Sequence, residues 1–205
     1  MKGSGQLRLS NGRRLTSPPP SITRPTTSRV REAVMNILAP RLEGSRWLDL
    51  CCGSGVMGCE AIERGAVAVT AIDRDSRCAA TCKKNLQMVV GRNNYSIDTS
   101  VICADLEKWL KRGWSGEPFD LIYFDPPYDS GIYQNVMSQI SNGQWLKPDG
   151  LMICEHRSKE TLTIGSPWTL HDQRRYGNSS LLMLSLPEHC HDGTDSRPPQ
   201  TDREG

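Results

Sequence analysis

The sequence predicts an α/β fold, a doubly wound and mostly parallel sheet with helices on both faces. Three observations support it. From Arg46 onward, short apolar runs alternate with helical periodicity, the βαβα order that a parallel sheet requires. After Glu155 the helical pattern stops, and two strand-like stretches flank Tyr176-Gly177-Asn178, which adds a terminal antiparallel hairpin. The chain has 205 residues, enough for one domain with a short appendage but too few for a multidomain assembly.

Residues 1–27 are rich in Gly, Ser, Thr, Arg and Pro, including Pro18-Pro19-Pro20. They are expected to form an irregular basic arm with a short hairpin at Asn11-Gly12 and no core of its own. Val30, Ala33, Val34, Ile37 and Leu38 then fall on one face of a helix, which Pro40 is expected to close. Strands follow at about 46–50, 67–72, 99–103, 119–124 and 151–155, with helices near 56–64, 76–90, 106–112 and 132–141. The helix at 76–90 sets Ala79, Cys82, Leu86 and Val89 on one face. The hairpin strands lie at about 168–175 and 179–185 and complete a domain spanning 28–186. Residues 187–205 have no periodicity, contain Pro198-Pro199 and are expected to be a disordered tail.

Apolar residues make up 37% of the chain and charged residues 23%, polar for a globular protein but sufficient for a modest core. No run approaches the roughly 18 apolar residues of a membrane span, and no apolar stretch follows Lys2, so a cytoplasmic protein is expected. Eight cysteines without an export signal read as reduced thiols. None shows the C-x2-C spacing of a zinc site. His189-Cys190-His191, the one ligand-like cluster, lies in the polar tail, so no metal is expected. The net charge of +2 conceals an asymmetry: residues 1–46 hold nine basic side chains, eight of them arginine, against two acids. A basic arm beside a near-neutral body suits a polyanionic partner, although a merely solvated arm has the same composition.

The chemistry-bearing residues gather at strand ends, where ligands of doubly wound sheets bind. After the first strand, Asp49-Leu50-Cys51-Cys52-Gly53-Ser54-Gly55-Val56-Met57-Gly58 carries G-x-G-x-x-G in the strand-to-helix context of a nucleoside-cofactor turn. Asp73 ends the second strand, where an acid can accept from both ribose hydroxyls. NAD and S-adenosylmethionine both remain open. Asp49 favours the latter, because an acid before the turn attracts a cationic amino-acid end and repels a pyrophosphate. Asp105, at the end of the third strand, is placed to hold an adenine amine and equally to cap the helix that follows, two roles that do not exclude each other.

Asp125-Pro126-Pro127-Tyr128 follows the fourth strand. Two prolines stiffen this loop and remove donors, so the Asp125 carboxylate and the Pro126 carbonyl can act as paired acceptors for the two hydrogens of an exocyclic amine. Tyr128 offers a face for an unstacked base. Catalysis in such a site is positioning plus electrostatics, with the amine lone pair directed at a sulfonium methyl.

At these residues the chain resembles the class I S-adenosylmethionine-dependent methyltransferases that modify exocyclic amines, and most of all the bacterial 16S ribosomal RNA guanine-N2 methyltransferases of the RsmD type. The resemblance covers roughly residues 3–186: Gly12-Arg13-Arg14-Leu15, Arg24-Pro25-Thr26-Thr27-Ser28-Arg29-Val30-Arg31-Glu32, the glycine turn, Asp73 and the D-P-P-Y loop. It implies a Rossmann-like seven-stranded sheet with an antiparallel seventh strand and methylation of one guanine in small-subunit rRNA. It implies Asp125, Pro126, Pro127 and Tyr128 as the reacting centre. The implied cofactor set is Asp49, Cys51, Gly53, Gly55, Asp73 and Asp105, with Thr26 and Thr27 near the cofactor or target base. Arg13, Arg14, Arg24, Arg29 and Arg31 are the expected RNA contacts, with Arg29 also open to a place near the reacting centre. Cys51-Cys52 stands where an aromatic or small residue is expected. The expected substrate is 16S rRNA within a small-subunit particle, and the expected state is a monomer. Amine methylation of DNA at adenine N6 or cytosine N4, and a non-catalytic RNA-binding assembly role, remain the alternatives.

Overall fold

The computed structural model describes residues 6–19, 26–93 and 96–187. Arg24, and the expected tail after Pro187 with His189-Cys190-His191, lie outside the described residues. The elements are α1 (Ser28–Leu42), β1 (Arg46–Leu50), α2 (Val56–Glu63), β2 (Ala68–Asp73), α3 (Ser76–Val90), β3 (Asp98–Cys103), α4 (Leu106–Leu110), β4 (Phe119–Phe124), a 3-10 turn (Tyr128–Ser130), α5 (Tyr133–Asn142), β5 (Leu146–Arg157), β6 (Thr169–Tyr176) and β7 (Ser179–Ser185). One seven-stranded sheet runs β3-β2-β1-β4-β5-β7-β6. The first five strands are parallel, and β7 is antiparallel to both of its neighbours.

The central strands are near-continuous apolar runs because both of their faces are covered. Trp47, Leu121, Tyr123 and Ile153 face a core built with α1, α2 and α3. Leu48, Leu50, Ile122, Phe124 and Met152 face the opposite core, built with α4 and α5. The edge strand β6 is exposed along most of its length.

Three expected boundaries need correction. Helix α1 does not close at Pro40 but continues to Leu42. A proline in the last turn forfeits one helical hydrogen bond, and the fully buried Leu42 holds that turn against the core. Strand β5 starts at Leu146 rather than near 151, with a register shift against β4 between Phe119 and Leu121. Helix α4 spans only 106–110 instead of 106–112.

The described residues of the arm, 6–19, share the core of the elements that follow. At Asn11-Gly12 the Leu9 amide donates to the Arg13 carbonyl at 2.8 Å, with Gly12 at φ +83°. Leu9 and Leu15 are buried against α1 and α2 in the shared core. The hairpin is pinned by Glu60, a side chain of α2 that is 1% exposed. Glu60 Oε1 accepts from the Ser10 amide at 2.8 Å, the Ser10 hydroxyl at 2.9 Å and Arg31 Nε at 3.0 Å, while Oε2 pairs with Arg64. Among the described residues seven cysteines are free thiols, no His/Cys/Asp/Glu group has the makings of a metal site, and no helix is long and apolar enough to cross a membrane.

Candidate active site

At the carboxyl end of β1 the backbone turns through the left-handed region at Cys51 (φ +65°), Gly53 (φ +53°) and Gly55 (φ +72°). Two of these are the glycines the conformation favours; Cys51 adopts it without that freedom. The Cys52 amide donates to the Ile72 carbonyl at 2.9 Å and fixes the turn to β2. A Cβ at Gly55 would collide with Cys82 Sγ of α3, and one at Gly58 would lie 2.9 Å from Val69 Cγ1. The second and third glycines of the motif therefore also permit close packing of helices around the turn.

Asp73 closes the turn from β2. Its Oδ2 accepts from the Gly53 amide and its Oδ1 from the Asp75 amide, both at 2.9 Å. A carboxylate has about four lone-pair sites, so two remain for hydroxyls. Asp49 lies below the turn, 2% exposed, hydrogen-bonded to the Gly58 backbone, with Oδ2 buried and partnerless. Burial, opposed by the Gly58 hydrogen bond and reinforced by Asp73, pushes its pKa from 3.8 to about 7. The neighbouring Cys51 thiol is pushed well up by burial and then by the carboxylates of Asp73, Asp125 and Asp49. A strand end with this field, one orphaned carboxylate oxygen and a glycine turn as its floor fits a nucleoside ligand that carries positive charge.

The D-P-P-Y loop adjoins that floor. Strand β4 pairs with β1, and the Asp125 amide lies 3.4 Å from the Leu50 carbonyl. From the other side, the chain entering α1 brings the Thr26 hydroxyl to Asp125 Oδ2 at 3.4 Å, while the Thr27 hydroxyl accepts from the Val30 amide and caps the helix. Pro126 is buried and Pro127 exposed. The Tyr128 hydroxyl is 2.9 Å from Ser179 Oγ on β7, and the Arg157 guanidinium lies over its ring at 5.1 Å. The aromatic face expected for a base is thus shared with a cation.

Sequence reasoning missed Tyr123 and Glu155 here. Glu155 lies on β5 opposite the D-P-P-Y end of β4, is 1% exposed and accepts from the Tyr123 hydroxyl at 2.7 Å. Burial, then the carboxylates of Asp125, Glu155 and Asp49, push the Tyr123 phenol well up, so it stays a donor. A signal was present: Glu155 is an acid closing an apolar strand, like Asp73.

The expected RNA contacts separate. Arg31 is corrected: it is 6% exposed, with Nε on Glu60 and Nη2 on the Arg8 carbonyl at 2.8 Å, so its charge holds the arm to the domain. Arg13 pairs with Glu63 near the far end of α2. Arg14 and Arg29 are exposed, and Arg29 lies 6.0 Å over the Tyr176 ring. Asp105 caps α4 by accepting from the Lys108 amide at 3.0 Å, a role that does not exclude the other expected of it.

Comparison with known proteins identifies the family. A family model described as conserved hypothetical protein 95 matches residues 4–185. The chain is 31% identical over 180 residues to the Ribosomal RNA small subunit methyltransferase D of Escherichia coli, covering 85% of this chain and 87% of the relative. It is 33% identical over 154 residues to the protein of the same name from Haemophilus influenzae, covering 75% and 78%. The solved structure of the Escherichia coli protein yhhF superposes with a TM-score of 0.76 at 27% identity, covering 89% of this chain and 99% of that one.

Proposed function

The chain belongs to the conserved hypothetical protein 95 family, and on that premise we propose that it transfers a methyl group from S-adenosylmethionine to the exocyclic N2 amine of a guanine in 16S ribosomal RNA. The names of the relatives support rRNA methylation as the reaction class. One observation supports the rest: the 3.4 Å contact from the Asp125 amide to the Leu50 carbonyl joins the D-P-P-Y loop to the strand end that carries the glycine turn.

Asp49, Cys51, Gly53, Gly55, Asp73 and Asp105, with Thr26 and Thr27 at the entry to α1, are assigned to hold S-adenosylmethionine. That cofactor supplies an electrophilic methyl on a sulfonium centre. The buried Asp49 carboxylate meets the cationic amino-acid end, and Asp73 keeps lone pairs for the ribose. Asp125 and the Pro126 carbonyl accept the two amine hydrogens, with Pro127 stiffening the loop, so the nitrogen lone pair is left free toward the methyl. Asp125 is also placed to receive the proton that the amine gives up as the N–C bond forms. Tyr128 stacks on the extruded base. Arg14 and Arg29 are assigned to phosphate, in a monomeric enzyme acting on a small-subunit particle.

The test is incubation with labelled S-adenosylmethionine and small subunits from a host lacking the gene, followed by nucleoside analysis. Label in N2-methylguanosine, lost by a factor of about 10²–10³ in Asp125→Ala, is the expected result. Label in another nucleoside would move the target, and full turnover by Asp125→Ala would overturn the mechanism.

A further inference from the structure

The proposed reaction must bring a polyanion to a site where four acids, Asp49, Asp73, Asp125 and Glu155, gather near the strand ends, with Arg74 the cation that acts on Cys51 among them. Beyond the exposed Arg8 and Arg14, the further cations that offset this repulsion are not in the hairpin of the arm. Arg31 is buried against Glu60, and Arg13 is tied to Glu63 seven residues along α2 from the turn, about 10 Å at helical rise.

The β5-β7-β6 side of the sheet supplies them. In register, Arg157 of β5 opposes Ser179 of β7, and Ser179 opposes Tyr176 of β6, so these three side chains share a face. It is the face of Tyr128, whose hydroxyl contacts Ser179. Arg174, two residues before Tyr176, points the same way, because it opposes the core residue Leu181. Arg29 comes down from α1 over the Tyr176 ring. The result is a row of arginine and tyrosine: Arg157 on Tyr128, then Arg29 on Tyr176, with Arg174 beside Tyr176 on the same face of β6.

Resting on the methyltransferase reading above, we propose that this row is the track for the RNA strand flanking the target guanine, with Arg29 and Arg174 taking backbone phosphates and Tyr176 a base. Guanidinium groups set among aromatic rings are the chemistry of single-stranded nucleic-acid grooves. The acids along the row do not block it, Glu160 at 3.5 Å from Arg157 being a partly exposed partner of the same kind as Asp172 and Asp129. Asp172, paired with Arg174 at 2.8 Å, and Asp129, 3.4 Å from Arg157, are solvent-exposed partners that a phosphate can replace. The adjacent Arg175 provides an internal control: it opposes Ser180, so it points to the other face of the same strand with the same charge.

The experiment measures anisotropy of a fluorescently labelled single-stranded fragment of small-subunit rRNA against potassium chloride, for the full chain and for Arg29→Ala, Arg174→Ala, Arg175→Ala and Tyr176→Ala, with thermal unfolding as a check on folding. Arg29→Ala and Arg174→Ala should each weaken binding several-fold and lower the slope of log K against log salt by about 0.7. Tyr176→Ala should weaken binding with the slope unchanged, and Arg175→Ala should match the wild type. Unchanged affinity and slope in Arg29→Ala and Arg174→Ala, or an equal loss in Arg175→Ala, would overturn the track. Binding is read without turnover, so a wild type that binds RNA through this row yet transfers no methyl overturns the reaction and leaves the track standing.

Discussion

Asp49→Asn separates the two demands placed on the buried acid under the glycine turn. In the native protein the carboxyl holds its proton to about pH 7, against 3.8 for an ordinary aspartate. Between those values the folded state binds a proton that the unfolded state has released, so this group makes stability fall as pH rises from about 4 to about 7. Above pH 7 the burden levels off at about 4 kcal/mol, from roughly three units at ~1.4 kcal/mol each. Asparagine has no charge to desolvate. In urea unfolding, the wild type should therefore lose about 3 kcal/mol relative to Asp49→Asn between pH 5 and pH 8. Cofactor affinity should move the other way. An ammonium needs the ionised form of Asp49, so wild-type affinity for S-adenosylmethionine should fall about tenfold per unit below pH 7, with proton release visible by calorimetry in buffers of different ionisation heat. The variant should bind weakly and without that dependence. Parallel stability profiles for the two proteins, or an Asp49→Asn variant that binds as tightly as the wild type at pH 8, would refute the assignment.

Two further predictions concern the scaffold. Glu60→Ala removes the acceptor shared by Ser10, Arg31 and Arg64 and leaves the Arg31 guanidinium buried without its charge partner. It should cost about 3–5 kcal/mol, read as a Tm drop of about 6–20 °C, with faster proteolysis of the arm; a drop under about 3 °C would mean that the pair is not what holds the hairpin. Gly55→Ala meets both a left-handed backbone at φ +72° and the Cys82 sulfur. It should destabilise by about 1–3 kcal/mol from the backbone alone, with additional loss from the collision. Cys82→Ala in the same chain should restore only the collision component, as measured by urea midpoint.

The sequence alone determined the architecture and pointed to half of the candidate site, because those features are written in local order. Alternating apolar runs and helical faces define strands and crossover helices, and the parallel sheet follows from their succession. Asp49, Asp73 and Asp125 stand out because each is an acid beside or within a buried apolar strand, next to a glycine turn, a strand end or a proline pair. Glu155 carried the same mark, but no flanking motif drew attention to it. What sequence could not decide was which charges are used internally. Arg31 and Arg29 stand two apart in one motif, yet one points to Glu60 in the core and the other across the face to Tyr176. That division depends on where α1 crosses the sheet. Likewise Arg174 and Arg175 are adjacent and alike until pairing with β7 turns one toward the cleft face and the other away. Long-range register, which no window of sequence contains, assigns each side chain its neighbours, and Coulomb interactions and desolvation act on those neighbours rather than on the order of the chain.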